Sequence, residues 1–436
     1  MSRESSLAVA RIFVPSPASH PRGAQTIVTD DLALRRQAAG DVTIELAGEQ
    51  RLAALAAEWQ DLVRRAVAPN VFMDPALIRS AARSYPDIPC ATLLAWQNSA
   101  RGRRLVGIWG FAIRRPAHSI IRTPVLTAPA MPHAYLATPV IDSAMTDEVL
   151  DAMLDCIAAD RTLPSIMAIE TLGADSAIAQ ALDRVLAGRG GAPRVIDRSM
   201  RPKLVAESDA KAYLDNALSA STRKKLRQHR RRLARQGTLQ YRVAREPEAV
   251  REAFDEFMRI EASGWKGRHG TALVDNAHDA AFARQMVSAL AMRGDAAVHG
   301  LYLDDRAVSM QVVLHSGPAA FTWKTAYDEK LHEFSPGMLL FEDYTAGFFA
   351  DDRVVFVDSC AIDDTGYMAA WTERQPVVSM WIDARRGRSI VLAVLAGLHK
   401  AHARLRVAVK RLYHRCVRWA AECRRSLGVM TKRLTT

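Results

Sequence analysis

The sequence predicts an α+β fold of two domains with similar design, followed by a basic helical tail. The chain has 436 residues, of which 49% are hydrophobic, so it is long and apolar enough for two cores. In both halves, short apolar runs that end at Asp, Gly or Pro alternate with runs of helical period, which is typical of mixed α and β structure. The positive charge is concentrated in residues 384–436, with 14 Lys or Arg against the single acid Glu422.

These features predict four segments. Residues 1–40 contain Pro15, Pro17 and Pro21 and have no sustained period, so we expect a disordered leader. Residues 41–206 and 207–383 form the two predicted domains, and 384–436 form the tail. The whole chain has a net charge of +12. The two domains are therefore close to neutral, which does not indicate a general nucleic-acid-binding surface.

The first domain begins with a strand, two helices and a pair of strands, and continues through extended segments into helix, strand, helix and strand. The predicted strands cover 42–46, 91–96, 105–113, 119–126, 133–138, 165–170, 193–197 and 202–205, and the helices cover 52–63, 76–85, 145–159 and 174–187.

The second domain repeats this order, so we interpret the two domains as divergent copies of one unit. Its predicted helices cover 221–235, 248–261, 280–291, 338–350 and 364–371, and its strands cover 298–303, 307–315, 319–327, 353–358 and 377–382.

The most informative stretch of the second domain is Ser335-Pro336-Gly337-Met338-Leu339, at the start of the helix that follows three strands. Free N–H groups and the positive end of the dipole make a helix start suitable for phosphate. Glycine allows a ligand close to the backbone. We therefore predict that these five residues bind the phosphates of a cofactor. The first domain has no Ser-Pro-Gly equivalent, so we assign it a supporting or acceptor-shaping role.

The segment from Ser221 to Arg235 holds eight Lys or Arg and no acid. Leu226 and Leu233 lie seven residues apart, on one face of a helix, and Gly237 ends the pattern. The basic face is either simply solvated or binds an anion, such as the phosphates of a cofactor, of a nucleotide-linked sugar or lipid, or of tRNA.

Several stretches together resemble a known family. They are Pro69 to Pro75, Ser221 to Gly237, Ser263 to Gly267, Trp323 to Tyr327, Ser335 to Gly337, and Asp358 with Trp371. This ordered set resembles the GNAT-like acetyltransferases of bacterial cellulose and exopolysaccharide biosynthesis, which are related to the Fem-type aminoacyltransferases. The resemblance implies two tandem GNAT-like acyl-CoA N-acyltransferase domains, with acyl-CoA as cosubstrate. The chain departs from ordinary GNAT enzymes by keeping only Pro336-Gly337 of their longer glycine-rich run.

Acyl transfer requires a held acceptor, a base and an acid for the leaving thiolate. As catalytic residues we predict Tyr327, as the acid or as an orienter of the acceptor, with Asp358 and Glu261 as candidate bases. For substrate binding we predict Trp265, Lys266, Trp323 and Lys324. Strand alternation places Trp323, Thr325 and Tyr327 on one face and Lys324 on the other.

The sequence has no metal-binding motif, and we expect no metal. Five scattered cysteines, Cys90, Cys156, Cys360, Cys416 and Cys423, lack paired spacing and are expected to be reduced. An acyl-cysteine intermediate at Cys360 is disfavoured because the sequence places no histidine near it.

The leading hypothesis is a cytoplasmic acyltransferase that acts on an amine or hydroxyl of a sugar or lipid intermediate in envelope or exopolysaccharide synthesis. The alternatives are Fem-like transfer from aminoacyl-tRNA, for which nucleic acid would be a partner, and a non-catalytic scaffold for a polysaccharide synthase. In the tail, Leu392, Leu395, Leu398 and Leu405 alternate with Arg and Lys. This pattern predicts a helix on the inner, anionic membrane surface; RNA binding and a merely solubilising tail are the other possibilities.

Overall fold

A computed structural model describes residues 36–39, 41–100, 102–115, 123–206, 209–406 and 408–409. The expected disordered leader falls almost wholly outside these residues. The part of the predicted tail beyond 409, including Cys416 and Cys423, also lies outside them.

The first half follows the predicted order of elements. Its strands are β1 (Arg36–Ala39), β2 (Val42–Ala47), β3 (Cys90–Ser99), β4 (Gly102–Arg114), β5 (Val125–Ala128), β6 (Val140–Ile141), β7 (Ile166–Gly173) and β8 (Arg194–Val205); its helices are α1 (Glu49–Ala53), α2 (Ala56–Arg65), α3 (Pro75–Ser84), α4 (Thr146–Ala159) and α5 (Ala177–Gly188).

The second half has the corresponding order. Its helices are α6 (Ala210–Ala217), α7 (Ala220–Leu233), α8 (Pro247–Ser263), α9 (Trp265–Arg268), α10 (Ala277–Ala291) and α11 (Pro336–Phe349); its strands are β9 (Leu239–Ala244), β10 (Ala296–Leu303), β11 (Arg306–Ser316), β12 (Ala319–Tyr327), β13 (Phe356–Asp358) and β14 (Glu373–Asp383). A further helix, α12, covers residues 390–406 and 408–409.

The strands form one sheet in which the two halves mirror each other. In the first half an antiparallel meander leads to β5, which pairs in parallel with β7 after the crossover helix α4. In the second half a meander leads to β12, which pairs in parallel with β13 after α11. The prediction of two copies of one unit is therefore confirmed at the level of topology.

The last strand of each half lies next to the other half. Strand β8 pairs with β13, and β14 pairs with β7, while β8 and β14 pair with each other at the centre. The sheet order there is β5-β7-β14-β8-β13-β12. Each half thus supplies a strand that completes the hydrogen bonding of its partner.

Some local predictions are wrong. The segment predicted as a strand over 133–138 is irregular, and the helix predicted over 364–371 is reduced to a 3-10 turn, Tyr367–Ala370. The two strands predicted over 193–197 and 202–205 form the single strand β8. Strand β9 and helix α6 were not predicted, because β9 is mostly polar and has no clear alternation.

Two large cores flank the sheet. The larger one combines residues of the first half with α8, α10 and one face of the second meander, so it crosses between the halves. The smaller one surrounds α11, where Phe341, Tyr344 and Trp371 are fully buried. Aromatic packing of this kind holds the start of α11 in a fixed position relative to β12.

Candidate functional site

The start of α11 has the geometry of an open helix terminus. Ser335 precedes it in the left-handed region at φ 51°, and Pro336 is its first residue. The first turn contains no acid. A Cβ atom built on Gly337 would meet only Cδ1 of Tyr327, at 3.9 Å. The backbone at Gly337 is thus approachable, and the side chain of Tyr327 lies beside it.

The amides of this turn are partly used within the protein. Met338 N donates to Ser335 O at 2.9 Å, and Leu339 N donates to the same oxygen at 3.2 Å. Of the five predicted phosphate-binding residues, Gly337 therefore offers the freest approach. The other four shape the turn, and their phosphate contacts remain a prediction.

The corresponding helix of the first half begins differently. The first turn of α4 contains Asp147 and Glu148, whose negative charges would repel a phosphate. Asp147 also pairs with Arg184 of α5 at 2.7 Å. This difference supports a single anion-binding site, at Gly337 and the start of α11, which we call the anion seat.

Strand β12 has an open edge that leads to this seat. Its pairing with β13 covers only Ala319 to Phe321, and in the described part of the chain no strand continues on that side toward Tyr327. An unpaired strand edge presents free N–H and C=O groups that an extended ligand can use. The edge runs directly toward the start of α11.

A β-bulge interrupts β12 at Trp323. Lys324 is opposite Val312, but Thr322 is opposite Val313, so Trp323 is the extra residue. The predicted alternation of faces is therefore wrong at this point, because a bulge re-aims the side chains. The Trp323 indole stacks on Phe254 of α8, whereas Tyr327 lies beside α11.

The predicted residues Glu261 and Lys266 meet at the open edge. Lys266 Nζ lies 2.7 Å from Glu261 Oε1 and donates to the carbonyl oxygen of Thr325 at 3.1 Å. Burial raises the pKa of Glu261, but Lys266 and Lys324 outweigh burial and lower it overall. Burial lowers the pKa of Lys266. Glu261 is thus an ionised carboxylate that is already paired with Lys266.

The short helix α9 lies over this end of β12. The backbone N–H of Trp265 donates to Glu329 at 2.6 Å, and Arg268 pairs with the same carboxylate at 2.6 Å. The Trp265 side chain is partly exposed. This position beside the end of β12 suits the substrate-binding role predicted for Trp265, which stays a prediction.

A chain of polar groups joins the two halves beside the bulge. Lys324 Nζ lies 3.1 Å from His133 Nδ1, and His133 Nε2 lies 3.1 Å from Asp279 Oδ2 without hydrogen-bond geometry. Tyr85 donates to the other oxygen of Asp279 at 2.6 Å. Burial, reinforced by Lys324, lowers the pKa of His133, so the imidazole is neutral near pH 7.

Sequence reasoning missed the first-half members of this chain. His133 belongs to a proline-rich segment whose pattern predicts a strand, and Tyr85 belongs to the end of a predicted helix. Neither carries a local motif, because the contacts with Lys324 and Asp279 cross about 190 residues of sequence.

The contacts of Asp358 indicate that its carboxylate stabilises the fold. Its carboxylate is buried, lies 3.1 Å from Arg201 Nη1 and accepts from the amide of Cys360 at 2.7 Å. Arg201 also donates to Tyr135 O and Ala361 O. The predicted role of Asp358 as a base is not supported, because no oxygen of this carboxylate faces the open edge without a partner.

Cys360 does not have the surroundings of a nucleophile. Burial raises the pKa of its thiol well above the usual value, and Asp358 adds to the effect. The thiol therefore stays protonated at neutral pH, which also disfavours an acyl-cysteine intermediate.

The basic helix α7 runs beside α11 and the turn that precedes it. Arg230 pairs with Glu342 and Asp343 of α11 at 3.1 and 2.8 Å. Arg232 pairs with Glu333 at 2.9 Å and lies over the ring of Phe334. Within the described residues, Lys224, Lys225, Arg227, Arg231 and Arg235 are exposed and have no ion-pair partner. These free cations lie on the side of α7 that faces away from buried Leu226, His229 and Leu233.

Residues 220–364 match a protein-family model described as an acetyltransferase (GNAT) domain. The match begins at α7 and includes β12, the start of α11 and Asp358. Residues 220–364 are therefore similar to a GNAT acetyltransferase domain, and this part of the chain contains the open helix start. A search of the curated proteins finds no significant match.

Several solved structures are similar over most of their length. They include the C-terminal domain of a putative lysylphosphatidylglycerol synthetase from Agrobacterium fabrum (14% identity, 76% of this chain and 92% of that chain, TM-score 0.47). FemX has 12% identity, with 77% and 96% covered and a TM-score of 0.48. A tandem GNAT protein of the clavulanic acid biosynthesis pathway has 13% identity, with 79% and 98% covered and a TM-score of 0.41.

Two further observations concern the described residues only. They contain no group of three or more His, Cys, Asp or Glu placed to hold a metal ion. None of their helices is both long and apolar enough to cross a membrane.

Proposed function

We propose that this protein transfers an acyl group, acetyl in the simplest case, from acyl-CoA to an amine or hydroxyl group of a sugar or lipid intermediate. One observation carries the proposal. The open helix start at Gly337 lies at the end of the unpaired edge of β12, within the segment that matches the GNAT family model. If the diphosphate of acyl-CoA bound at the helix start, the arm of the same molecule that carries the thioester would extend along that edge.

The side chains at the edge suit the chemistry. Burial and nearby Glu329 raise the pKa of Tyr327, so its phenol stays protonated and can donate to a leaving thiolate. The acceptor proton requires a base. Glu261 serves if Lys266 moves aside, and neutral His133 is a second candidate base if Lys324 releases its Nδ1. Lys324 and Lys266 provide positive charge for the developing oxyanion or for an anionic acceptor.

Donor binding tests the proposal directly. We expect CoA and acetyl-CoA to raise the melting temperature of the full-length chain, because a ligand of the native state stabilises it by mass action. Gly337→Glu places a carboxylate in the seat and should weaken binding by about tenfold or more. Gly188→Glu, at an open helical glycine of the first half, should bind as the unmodified chain does. Absence of any shift with CoA or acyl-CoA would contradict the proposal.

Transfer from aminoacyl-tRNA is the second candidate, favoured by the free, exposed cations of α7. Charge reversal of Lys224, Lys225 and Arg227 should then abolish tRNA binding. Under the acyl-CoA proposal the same variant should retain most of its affinity for CoA. Gel-shift and calorimetric titrations of the same variant distinguish the two donors.

The setting in envelope or exopolysaccharide synthesis rests on the resemblance of the sequence motifs, whereas the cytoplasmic location rests on the scattered cysteines, which are expected to be reduced. Thiol release from acetyl-CoA, measured with amino sugars, sugars and lipid-linked sugars as acceptors, tests the acceptor class. A chain that binds the donor but releases no thiol with any acceptor would favour a scaffold role.

A further inference from the structure

The helix α12 has one face that belongs to the protein core. Leu392, Leu395 and Ala396 are buried. The two leucines pack with Val125, Ile166 and Trp381, residues of β5, β7 and β14. This cluster lies on the face of the sheet opposite the main core, because Met167 and Ile169, which alternate with Ile166 along β7, belong to that core.

A second apolar stripe of the same helix faces solvent. Its large members are Ile390, Val391, Val394, Leu405 and Val409, which are 80%, 50%, 49%, 61% and 57% exposed. At 100° per residue these side chains fall within an arc of about 100°. Ala401 and Ala408 lie in the same arc and are exposed too. The stripe extends over about five turns without a polar interruption.

The surroundings of the stripe are uniformly positive. Residues 384–409 contain no Asp or Glu, whereas Arg388, Arg404 and Arg406 are exposed. In the sequence, residues 410–436 follow with eight Lys or Arg and the single acid Glu422. Arg386 is partly neutralised, because it pairs with Asp151 and Asp155 of α4. An aliphatic stripe between cations is typical of a helix that lies in a membrane interface.

We propose that α12 docks this protein on an anionic lipid surface, with the exposed stripe in the acyl-chain boundary and the flanking cations at the headgroups. A second copy of the chain fits less well. A stable dimer buries about 800 Å² per partner, more than five aliphatic side chains of one helix supply, and two such helices would repel each other. Nucleic acid would use the cations but leave the stripe exposed.

Vesicle flotation of the full-length chain tests the proposal. We expect binding to vesicles of phosphatidylcholine with about 30% phosphatidylglycerol and little binding to phosphatidylcholine alone, with affinity that falls as salt rises. Ile390→Glu with Val394→Glu should reduce binding by at least about tenfold. Both positions are exposed, so the melting temperature should not change.

The matched control changes the same charge on the same helix away from the stripe. Ala393 and Ala403 are exposed and lie outside the apolar arc, so Ala393→Glu with Ala403→Glu should bind within about threefold of the unmodified chain. Equal loss in both double variants would overturn the proposal, because charge alone would then explain binding. Absence of vesicle binding, or dimerisation that only the stripe variant abolishes, would also overturn it. The result does not depend on any acyl donor.

Discussion

At the scale of single residues, the site combines groups that hold one another in fixed protonation states. Lys266 neutralises Glu261, which is almost fully buried, and also satisfies the carbonyl of Thr325 on the open edge. A lysine in this position has two effects. It keeps a carboxylate ionised beside the donor path, and it must move before that carboxylate can accept a proton.

Replacing Lys266 by Met should therefore destabilise the protein by about 3 kcal/mol, because it leaves a buried carboxylate without its partner. The double variant Lys266→Met with Glu261→Gln should recover part of the loss, since no buried charge remains. Urea unfolding gives the free energies of unfolding. If both variants lost the same amount, the ion pair would not be the cause.

Two buried histidines of the second meander predict acid sensitivity. Burial lowers the pKa of His299 to about 3 and that of His315 to about 4. A histidine whose folded pKa is depressed binds its proton mainly in the unfolded chain, so its contribution to stability is complete above about pH 6.5 and is lost as the pH falls. Each should contribute a slope of about 1.4 kcal/mol per pH unit between its unfolded and folded pKa values.

Between pH 6 and pH 4.5, His299→Gln should remove about half of the combined slope with which the two histidines make the free energy of unfolding depend on pH. The free energy of unfolding at several pH values measures it. Exposed His332 provides the control, because His332→Gln should leave the slope unchanged. A pH-independent stability in the unmodified chain would show that both histidines bind protons equally in the folded and unfolded states.

At the scale of elements, the basic helix α7 is divided into cations that attach it and cations that remain free. Arg230 joins it to α11 through Glu342, Asp343 and the carbonyl of Leu339. Arg231, the next residue, is exposed. Arg230 therefore helps to fix the position of α7 and of the free cations that it carries.

Arg230→Met should lower the free energy of unfolding by about 1 to 2 kcal/mol, because a partly buried ion pair and its hydrogen bonds are lost. Arg231→Met should change it by less than about 0.5 kcal/mol. Chemical denaturation of the two single variants provides the comparison. Equal effects would mean that α7 is held by Leu226 and Leu233 alone.

Local chemistry explains which elements the sequence could predict. The bounds of β12 were predicted correctly because turn residues precede it and a polar segment follows it. The bulge at Trp323 was not, since it depends on the register with β11. The seat at Gly337 carries a local signal, a Pro-Gly helix start. Lys324 was predicted, but its neighbour His133 was not, because their contact arises only when the halves associate.

At the scale of the whole molecule, β8 of the first half pairs with β13, and β14 of the second half pairs with β7. The two halves are therefore interdependent. Without β14 the first half would leave one edge of β7 unpaired, and without β8 the second half would leave one edge of β13 unpaired. The larger core also spans both halves. A unit of this kind is expected to unfold cooperatively, although the family model matches only one part of it.

We therefore expect residues 41–206 and 207–383, produced separately, to be unfolded or aggregated, and the two produced together to form a soluble complex. The intact chain should unfold in one transition, with the same midpoint whether helicity or tryptophan fluorescence is followed. Size-exclusion chromatography and circular dichroism of the two fragments check the first expectation. A fragment 207–383 that folds alone and binds CoA would refute the interdependence, because β13 would then be stable without β8. Such a fragment would also lack His133 and Tyr85, so its rate of acyl transfer would measure directly what the first half contributes to the site.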